Sequence, residues 1–370
     1  MENVIKLYDS LHTMPELGFQ EYKTAAFLAD KLKQAGFVVT EGVNHTTGLV
    51  GEYDSGVPGP TLALRADMDA LGHKINGVLC AIHSCGHDAH CAMVLAAAQE
   101  LIQTNSIQQG KLKILFQPAE ELGTGALAMI EGGAIDDVDM ILGLHLRQIE
   151  DLTIKQSVPA LYHAASERLE AIFHGVPAHG SRPHLGVNAL DAAAAAIMAV
   201  NAIHMNPVES YSIKATRLNC DSGVTNAIPS EATVTWDVRS ERNGTMQALL
   251  EKAKQAIHAA AATVGATASV TNYNGIPAAE YTDDMVALLA EAITAVYGPS
   301  GLHEPLKTTG GEDFHFYIKK KPSLKAGYFA LGCDLTPGIH HPDMTFKKEA
   351  LPTGQAILVY AARKLLQKNK

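Results

Sequence analysis

His83-Ser84-Cys85-Gly86-His87-Asp88-Ala89-His90 places three imidazoles, a thiol and a carboxylate just ahead of an alanine-rich helical run from Met93 to Ile102. Read as an extended segment, it sends the side chains of Cys85 and His87, two residues apart, to the same side. Gly86 between them lets the backbone pass close to whatever they grip. A thiolate and an imidazole converging in this way suit a divalent transition metal. A lone Cys-x-His is more often a buried thiol beside solvated histidines, so the reading turns on where other ligand-type residues fall.

Outward from this loop, residues 61–66 (Thr-Leu-Ala-Leu-Arg-Ala) read as a strand, with Asp67-Met68-Asp69 at its C-terminal end. Residues 111–116 alternate like a strand and run into Gln117-Pro118-Ala119-Glu120-Glu121. Residues 139–144 are an almost continuous apolar run, as expected of a buried parallel strand, closed by His145. Helical segments between them give an alternating β/α order, hence a doubly wound mixed sheet. Asp67, Glu120/Glu121 and His145 each follow a strand. Ligands of open α/β sheets bind beyond the carboxyl ends of the strands. Three such ends and the Cys85/His87 loop would therefore converge on one crevice, and chance is a poor account of that.

The rest of the chain fits around this core. Residues 2–11 and about 21–35 read as amphipathic helices, the second capped by Gly36, with strands near 37–40 and 48–53. From about residue 160 the texture changes to strand 167–173, helix 186–204, strands 210–218 and 232–239, helix 245–262 and strand 268–273. That β-α-β-β-α-β order is a ferredoxin-like α+β unit. It reads as an insertion, because a helix over 283–297, a strand near 328–331 and a closing helix over 351–367 restore the α/β pattern. The expected domains are a first segment of an α/β domain at 1–160, an inserted small domain at 161–275, and the second segment of the α/β domain at 276–370.

Composition narrows the partners. The 370 residues carry a formal net charge of −10, with 47% hydrophobic and 18% charged residues. An acidic balance argues against nucleic acid or an anionic membrane and favours a small-molecule substrate. Five scattered cysteines without a Cys-x-x-Cys pair suit a reducing compartment. The first residues show no basic-then-apolar leader, and a cytoplasmic location is expected.

Adjacent glutamates in a regular strand would face opposite ways, but Pro118 argues that the strand has already ended. An irregular loop could aim one carboxylate at a metal and keep its neighbour free. A dinuclear centre needs that division: two cations share and acidify a water, and an unligated carboxylate takes its proton and returns it to the leaving amine. Cys85, His87, Glu121, His145 and His340 would serve two divalent ions, with water in the open positions. His83, His90 and His73 are spare, suited to supporting or surface roles. Alone, His145 reads equally well as a satisfied core histidine.

The stretches LHTMPELGFQE (11–21), LRADMDAL (64–71), HSCGHDAH (83–90), FQPAEE (116–121), GLHL (143–146), GVTNAIP (223–229), GGEDF (310–314) and HHPDMTF (340–346) occur in this order. Together they resemble the dinuclear metallo-aminoacylase/carboxypeptidase family, in its amidohydrolase branch with hippurate hydrolases and auxin-conjugate hydrolases. HSCGHDAH with FQPAEE is the specific part. The resemblance implies metal ligation by Cys85, His87, Glu121, His145 and His340, Glu120 as general base, and Asp67 as a supporting residue at the site. It implies that the small domain is a lid whose His179 contacts the scissile carbonyl oxygen, often from a partner subunit. Asn226 and Arg239 would hold the substrate carboxylate, with Gly310 and Gly311 as further substrate-binding positions. The implied cofactors are two divalent metal ions per subunit, manganese or zinc ahead of cobalt or nickel. The implied substrate is an N-acyl amino acid and the implied assembly a homodimer through the lid.

One departure stands out. After Asp69-Ala70-Leu71, where the branch usually has Pro, an acidic residue and a longer loop, the chain reads Gly72-His73-Lys74-Ile75-Asn76-Gly77. The leading expectation is a metal-dependent amidohydrolase of N-acyl amino acids or related conjugates, with a dipeptidase or carboxypeptidase of the same chemistry as the alternative. A thiol hydrolase using Cys85 and a non-catalytic metal-binding protein are the other readings. The second has no use for an unligated Glu120.

Overall fold

The computed structural model describes residues 3–368; positions 1, 2, 369 and 370, including the expected start of the first helix at residue 2, lie outside the described residues. The chain divides into two compact units. Met1–Tyr162, Glu280–Lys307 and Glu312–Lys370 form the first, His163–Ala279 and Thr308–Gly311 the second.

The first unit opens with α1 (Val4–His12) and α2 (Tyr22–Gln34). Val4, Leu7, Tyr8 and Leu11 recur at helical spacing and are all buried, so α1 presents one apolar stripe to the core. Gly36, at φ 96°, takes the left-handed position just past α2. Next come β1 (Val38–Glu41), β2 (Leu49–Asp54) and β3 (Thr61–Asp67). Where the sequence suggests a short loop there is a hairpin, β4 (Leu71–Ile75) and β5 (Val78–Ile82), turned by Asn76-Gly77. Both turn residues have positive φ, 50° and 84°, the twist that a two-residue hairpin turn requires. Then follow α3 (His87–Gln103), β6 (Lys111–Gln117), α4 (Gly125–Glu131), β7 (Met140–Gln148), β8 (Ser157–Val158) and β9 (Leu161–His163).

The second unit holds β10 (Ala165–His174), β11 (Ala178–His179), α5 (Ala189–Asn201), β12 (Tyr211–Asn219), β13 (Ala227–Ile228), β14 (Glu231–Ser240), α6 (Asn243–Thr263) and β15 (Thr267–Ile276). The helix expected from Gly186 starts only at Ala189, because Val187 is bridged to Val176 and the Asn188 side chain caps the first turn. Its sheet runs β12-β14-β10-β15 with every neighbour antiparallel, the ferredoxin-like arrangement. Phe173, Val234 and Trp236 pack with Ala192, Ala193, Ala196 and Leu249 into a core of this unit's own.

The chain completes the first unit with α7 (Asp283–Tyr297), β16 (Leu306–Thr308), α8 (His315–Lys320), β17 (Lys325–Leu335) and α9 (Leu351–Leu366). Among the described residues its main sheet is seven-stranded, in the order β1-β2-β6-β3-β7-β17-β8. The central four strands are parallel and the flanking pairs antiparallel. Helix α3 packs with α1, α9 and β3 and is buried from His87 through Gln99. An alanine-rich helix apolar on all sides belongs in that central position. No described helix is long and apolar enough to cross a membrane.

Strand register fixes the height of the candidate ligands. Leu64 is level with Leu142 and Asp67 with Gln117, so Asp67, Gln117 and His145 sit at one height on parallel strands. Pairing of β3 with β7 ends at Leu64↔Leu142. The two strands part before Asp67 and His145, which opens the sheet at its carboxyl edge. His145 is not the terminus expected from the sequence; β7 runs on to Gln148, paired with β17.

A candidate metal centre in the first unit

The Cys85-Gly86-His87 segment is not extended. Gly86 is left-handed at φ 93° and forms the N-cap of α3, with His87 as the first helical residue. A Cβ on Gly86 would already lie 3.1 Å from the Leu146 side chain, so a tight reversal, rather than strand alternation, brings Cys85 and His87 together. Cys85 Sγ lies 3.5 Å from His145 Nε2 and 3.4 Å from His340 Nε2. Glu121 Oε1 is 3.4 Å from His340 Nε2 and 3.9 Å from His87 Nε2. Two groups of potential ligand atoms result, Cys85/His87/His145 and Cys85/Glu121/His340, with the thiol common to both. All five sequence candidates for ligation therefore meet in one place.

The rings of His87 and His145 are each held through Nδ1, which leaves Nε2 facing the site. His87 Nδ1 donates to the Asp69 carbonyl at 3.0 Å and its Oδ1 at 3.1 Å, while His87 Nε2 is buried with no hydrogen-bond partner among the described residues. His145 Nδ1 donates to the Leu146 carbonyl at 2.6 Å, directing Nε2 at the thiol. The His340 amide donates to the Ser84 carbonyl at 2.6 Å, fixing a residue held at φ 66°. A buried, unpartnered imidazole nitrogen is costly in a protein interior and is what a metal ligand needs. The donor set of one thiolate, three imidazoles and a carboxylate fits a divalent transition metal, and orientation through the second ring nitrogen is the usual device of such sites.

Glu120 and Glu121 leave β6 through the irregular turn expected of them. Ala119 is left-handed at φ 51°, and Glu120–Leu122 form a single 3-10 turn. The Glu121 amide donates to Asp69 Oδ2 at 3.0 Å. Glu120 Oε1 accepts the Asp313 amide at 3.4 Å, and its Oε2 is 3.9 Å from His87 Nε2. Burial, with Glu312 and Asp313 adding negative charge nearby, pushes the Glu120 carboxyl well above the usual carboxylate range. Burial also pushes the Cys85 thiol well up, so its thiolate needs a cation beside it.

Asp67 is the last residue of β3 and is fully buried. It accepts Arg65 Nη1 at 2.8 Å and His90 Nδ1 at 2.8 Å. His90 is not a spare surface group: its Nε2 accepts the Leu146 amide at 3.1 Å, so the ring bridges the gap where β3 and β7 part. With both nitrogens engaged it has none for a metal. Arg65, also buried, donates further to Gln117, Glu312 and Asp313. His73 Nε2 lies 2.7 Å from Ser84 Oγ, and His83 is buried and stacked on His12 at 6.1 Å.

The remaining candidates belong to the second unit. His179 pairs with Ala227 across the β11–β13 ribbon, and the Gly180 amide donates to the Asn226 carbonyl at 2.7 Å. His179 Nδ1 accepts the Ser181 amide at 3.1 Å, so a neutral ring carries its hydrogen on Nε2. Arg239 lies on β14, where its Nε donates to Asp237 at 3.1 Å. Gly310 and Gly311 are exposed, and a Cβ on Gly311 would meet Ile276 at 3.0 Å.

Comparison with known proteins agrees with this geometry. Residues 63–364 match the model of peptidase family M20/M25/M40. The chain belongs to that family. It is 31% identical over 350 residues to thermostable carboxypeptidase 2 of Saccharolobus solfataricus, spanning 89% of this chain and 85% of that one. To N-acetyl-L-cysteine deacetylase of Bacillus subtilis it is 30% identical over 384 residues, covering 100% of this chain and 89% of the relative. The crystal structure of a dinuclear metal binding peptidase of the M20 family from Bacillus subtilis superposes with a TM-score of 0.82 at 26% identity, covering 98% and 97% of the two chains. As an M20 protein the chain is a hydrolase of amide or peptide bonds, and its ligand cluster is the kind of centre a dinuclear member requires.

Within this M20 fold, Asp69 is a participant that sequence reading did not single out, while His90, expected in a supporting or surface role, is the buried link between Asp67 and the Leu146 amide. Asp69 sits two residues past a strand end in Asp67-Met68-Asp69, and the repeated carboxylate was the available signal. For His90 the signal was helical spacing: it lies three residues after His87, on the same face of α3.

Proposed function

We propose that the chain hydrolyses the amide bond of N-acyl amino acids, with two divalent cations held by Cys85, His87, Glu121, His145 and His340 and with Glu120 as general base. The observation that carries this reading is the pair of ligand groups sharing Cys85, with the Glu120 carboxylate beside them. When bound, the cations would polarise the scissile carbonyl and lower the pKa of the attacking water. Glu120 takes that water's proton. Its Oε1 is engaged by the Asp313 amide, leaving Oε2 to receive the proton and deliver it to the departing nitrogen. Asp69 keeps His87 and Glu121 oriented throughout, and Asp67, at the end of β3, is tied to α3 through His90.

In the same proposal, His179 donates from Nε2 to the carbonyl oxygen as negative charge develops there. Arg239 and Asn226 receive the carboxylate end of the substrate, for which a guanidinium offers a two-pronged match, and Gly310 and Gly311 are further substrate-binding positions. The ferredoxin-like segment at 161–275 acts as lid and dimerisation domain between catalytic segments 1–160 and 276–370. The protein works as a cytoplasmic homodimer, with manganese or zinc ahead of cobalt or nickel. No nucleic-acid or membrane partner is expected from its acidic charge. The deacetylase named among its relatives supports acyl amino acids as substrates, and the carboxypeptidase supports a peptide alternative.

The deciding experiment offers N-acetyl, N-benzoyl and longer acyl amino acids alongside dipeptides to chelator-stripped protein reconstituted with manganese, zinc or cobalt. Cleavage of the acyl amino acids that disappears on stripping and returns with metal is the expected result. Preference for dipeptides would move the assignment to the carboxypeptidase alternative. Activity that survives stripping would point to Cys85 as a nucleophile instead.

A further inference from the structure

Residues 15–21, Pro-Glu-Leu-Gly-Phe-Gln-Glu, carry no role in the chemistry above, yet they enclose one of the chain's fully buried carboxylates. Glu21 is 0% exposed. Its Oε1 accepts the Ala119 amide at 2.8 Å, and its Oε2 accepts the Thr47 hydroxyl. Ala119 is the left-handed residue of the turn that reverses β6 and presents Glu120 and Glu121. That conformation is sparsely populated for any residue with a Cβ and persists only where the surroundings impose it.

The loop imposes it from several directions. The Glu16 carboxylate accepts the Lys23 and Thr24 amides at 2.9 Å each, anchoring the loop to the start of α2. The Ala70 amide donates to the Glu16 carbonyl at 2.8 Å, and Leu17 bridges to Ala70, tying the loop to the segment that holds Asp69. Gly18 lets the loop lie on the turn, since a Cβ there would sit 3.0 Å from Ala119 Cβ. The amide of residue 119 is thus held by Glu21 and the amide of residue 121 by Asp69. One carboxylate lies on each side of Glu120.

We propose that Glu21 is a positioning residue for the glutamate pair: by accepting the Ala119 amide it holds the left-handed turn that aims Glu120 at the substrate and Glu121 at the metal. The inference rests on the function proposed above. Glu21 touches no reacting atom and acts only through the backbone of residue 119.

The test compares Glu21→Ala, Glu21→Gln and Thr47→Val with the full-length parent. Mn²⁺ binding is followed by equilibrium titration, and kcat and KM are measured on the best acyl amino acid of the panel. Glu21→Ala should weaken Mn²⁺ binding and lower kcat by roughly tenfold to a hundredfold, with KM changed by less than about twofold. Glu21→Gln keeps a carbonyl acceptor for the Ala119 amide and should restore both quantities to within about threefold of the parent. Thr47→Val, close in size, should move both in the same direction by a smaller factor, which serves if Glu21→Ala does not fold. Parent-like Mn²⁺ affinity and kcat in Glu21→Ala or, where that variant does not fold, in Thr47→Val would overturn the proposal. So would a Glu21→Gln variant as impaired as Glu21→Ala, because packing rather than the hydrogen bond would then be responsible. If the parent cleaves no acyl amino acid, the functional reading fails, while the Mn²⁺ titrations still decide the role of Glu21.

Discussion

Cys85 is the one side chain common to both ligand groups, so its loss should be felt by both cations rather than one. Cys85→Ser keeps the size and removes the soft thiolate. Elemental analysis of the purified variant should show depletion of total bound metal together with loss of activity. Retention of parent-level metal would separate Cys85 from the centre. The two adjacent glutamates are expected to part company under equivalent substitutions. Glu120→Gln should bind metal and substrate but lose about a hundredfold or more in kcat, because an amide cannot carry the proton. Glu121→Gln should lose metal first, and near-normal turnover in metal-loaded Glu120→Gln would remove Glu120 as the base.

The turns between the elements are where the site is aimed. After β6 the chain folds back so tightly that a Cβ on Gly125 would lie 1.6 Å from the Pro118 carbonyl oxygen, backbone against backbone. Gly125→Ala should therefore destabilise the protein by at least about 1–3 kcal/mol and weaken metal binding through the displaced Glu120–Glu121 turn, seen as a lower Tm and a shifted metal titration. An unchanged melt would mean that the turn yields easily. Strand alternation and apolar runs made β3, β6 and β7 readable, and with them the convergence of strand ends, because period and burial are local in sequence. What was not readable came from tertiary contact. The left-handed state of Ala119 depends on a carboxylate 98 residues away, and the bridging of His90 depends on where β3 and β7 part. The β4–β5 hairpin is a different case: Asn76-Gly77 is a strong local turn signal, but the family pattern of a loop there overrode it.

At the scale of the molecule, the ligand set lies wholly in the unit built from Met1–Tyr162, Glu280–Lys307 and Glu312–Lys370, while His179 lies in the other. If His179 acts across a dimer, as the family resemblance implies, inactive Glu120→Gln mixed with inactive His179→Ala under conditions of subunit exchange should regain activity, since one composite site of a mixed dimer is intact. Absence of recovery despite demonstrated exchange would place His179 within its own chain's chemistry or outside it. The hairpin has a consequence of another kind, in the behaviour of concentrated solutions. Its strands pair only with each other among the described residues, and the bridge from Leu17 reaches no further than Ala70, just before β4. Ile75, Val78 and Leu79 are 40%, 63% and 65% exposed, and from Ile75 to Ile82 there is neither charge nor proline. A ribbon of that composition is a template on which further chains can add strands and self-associate. Val78→Lys should raise the concentration at which light scattering first climbs, while leaving metal content at the level of the parent.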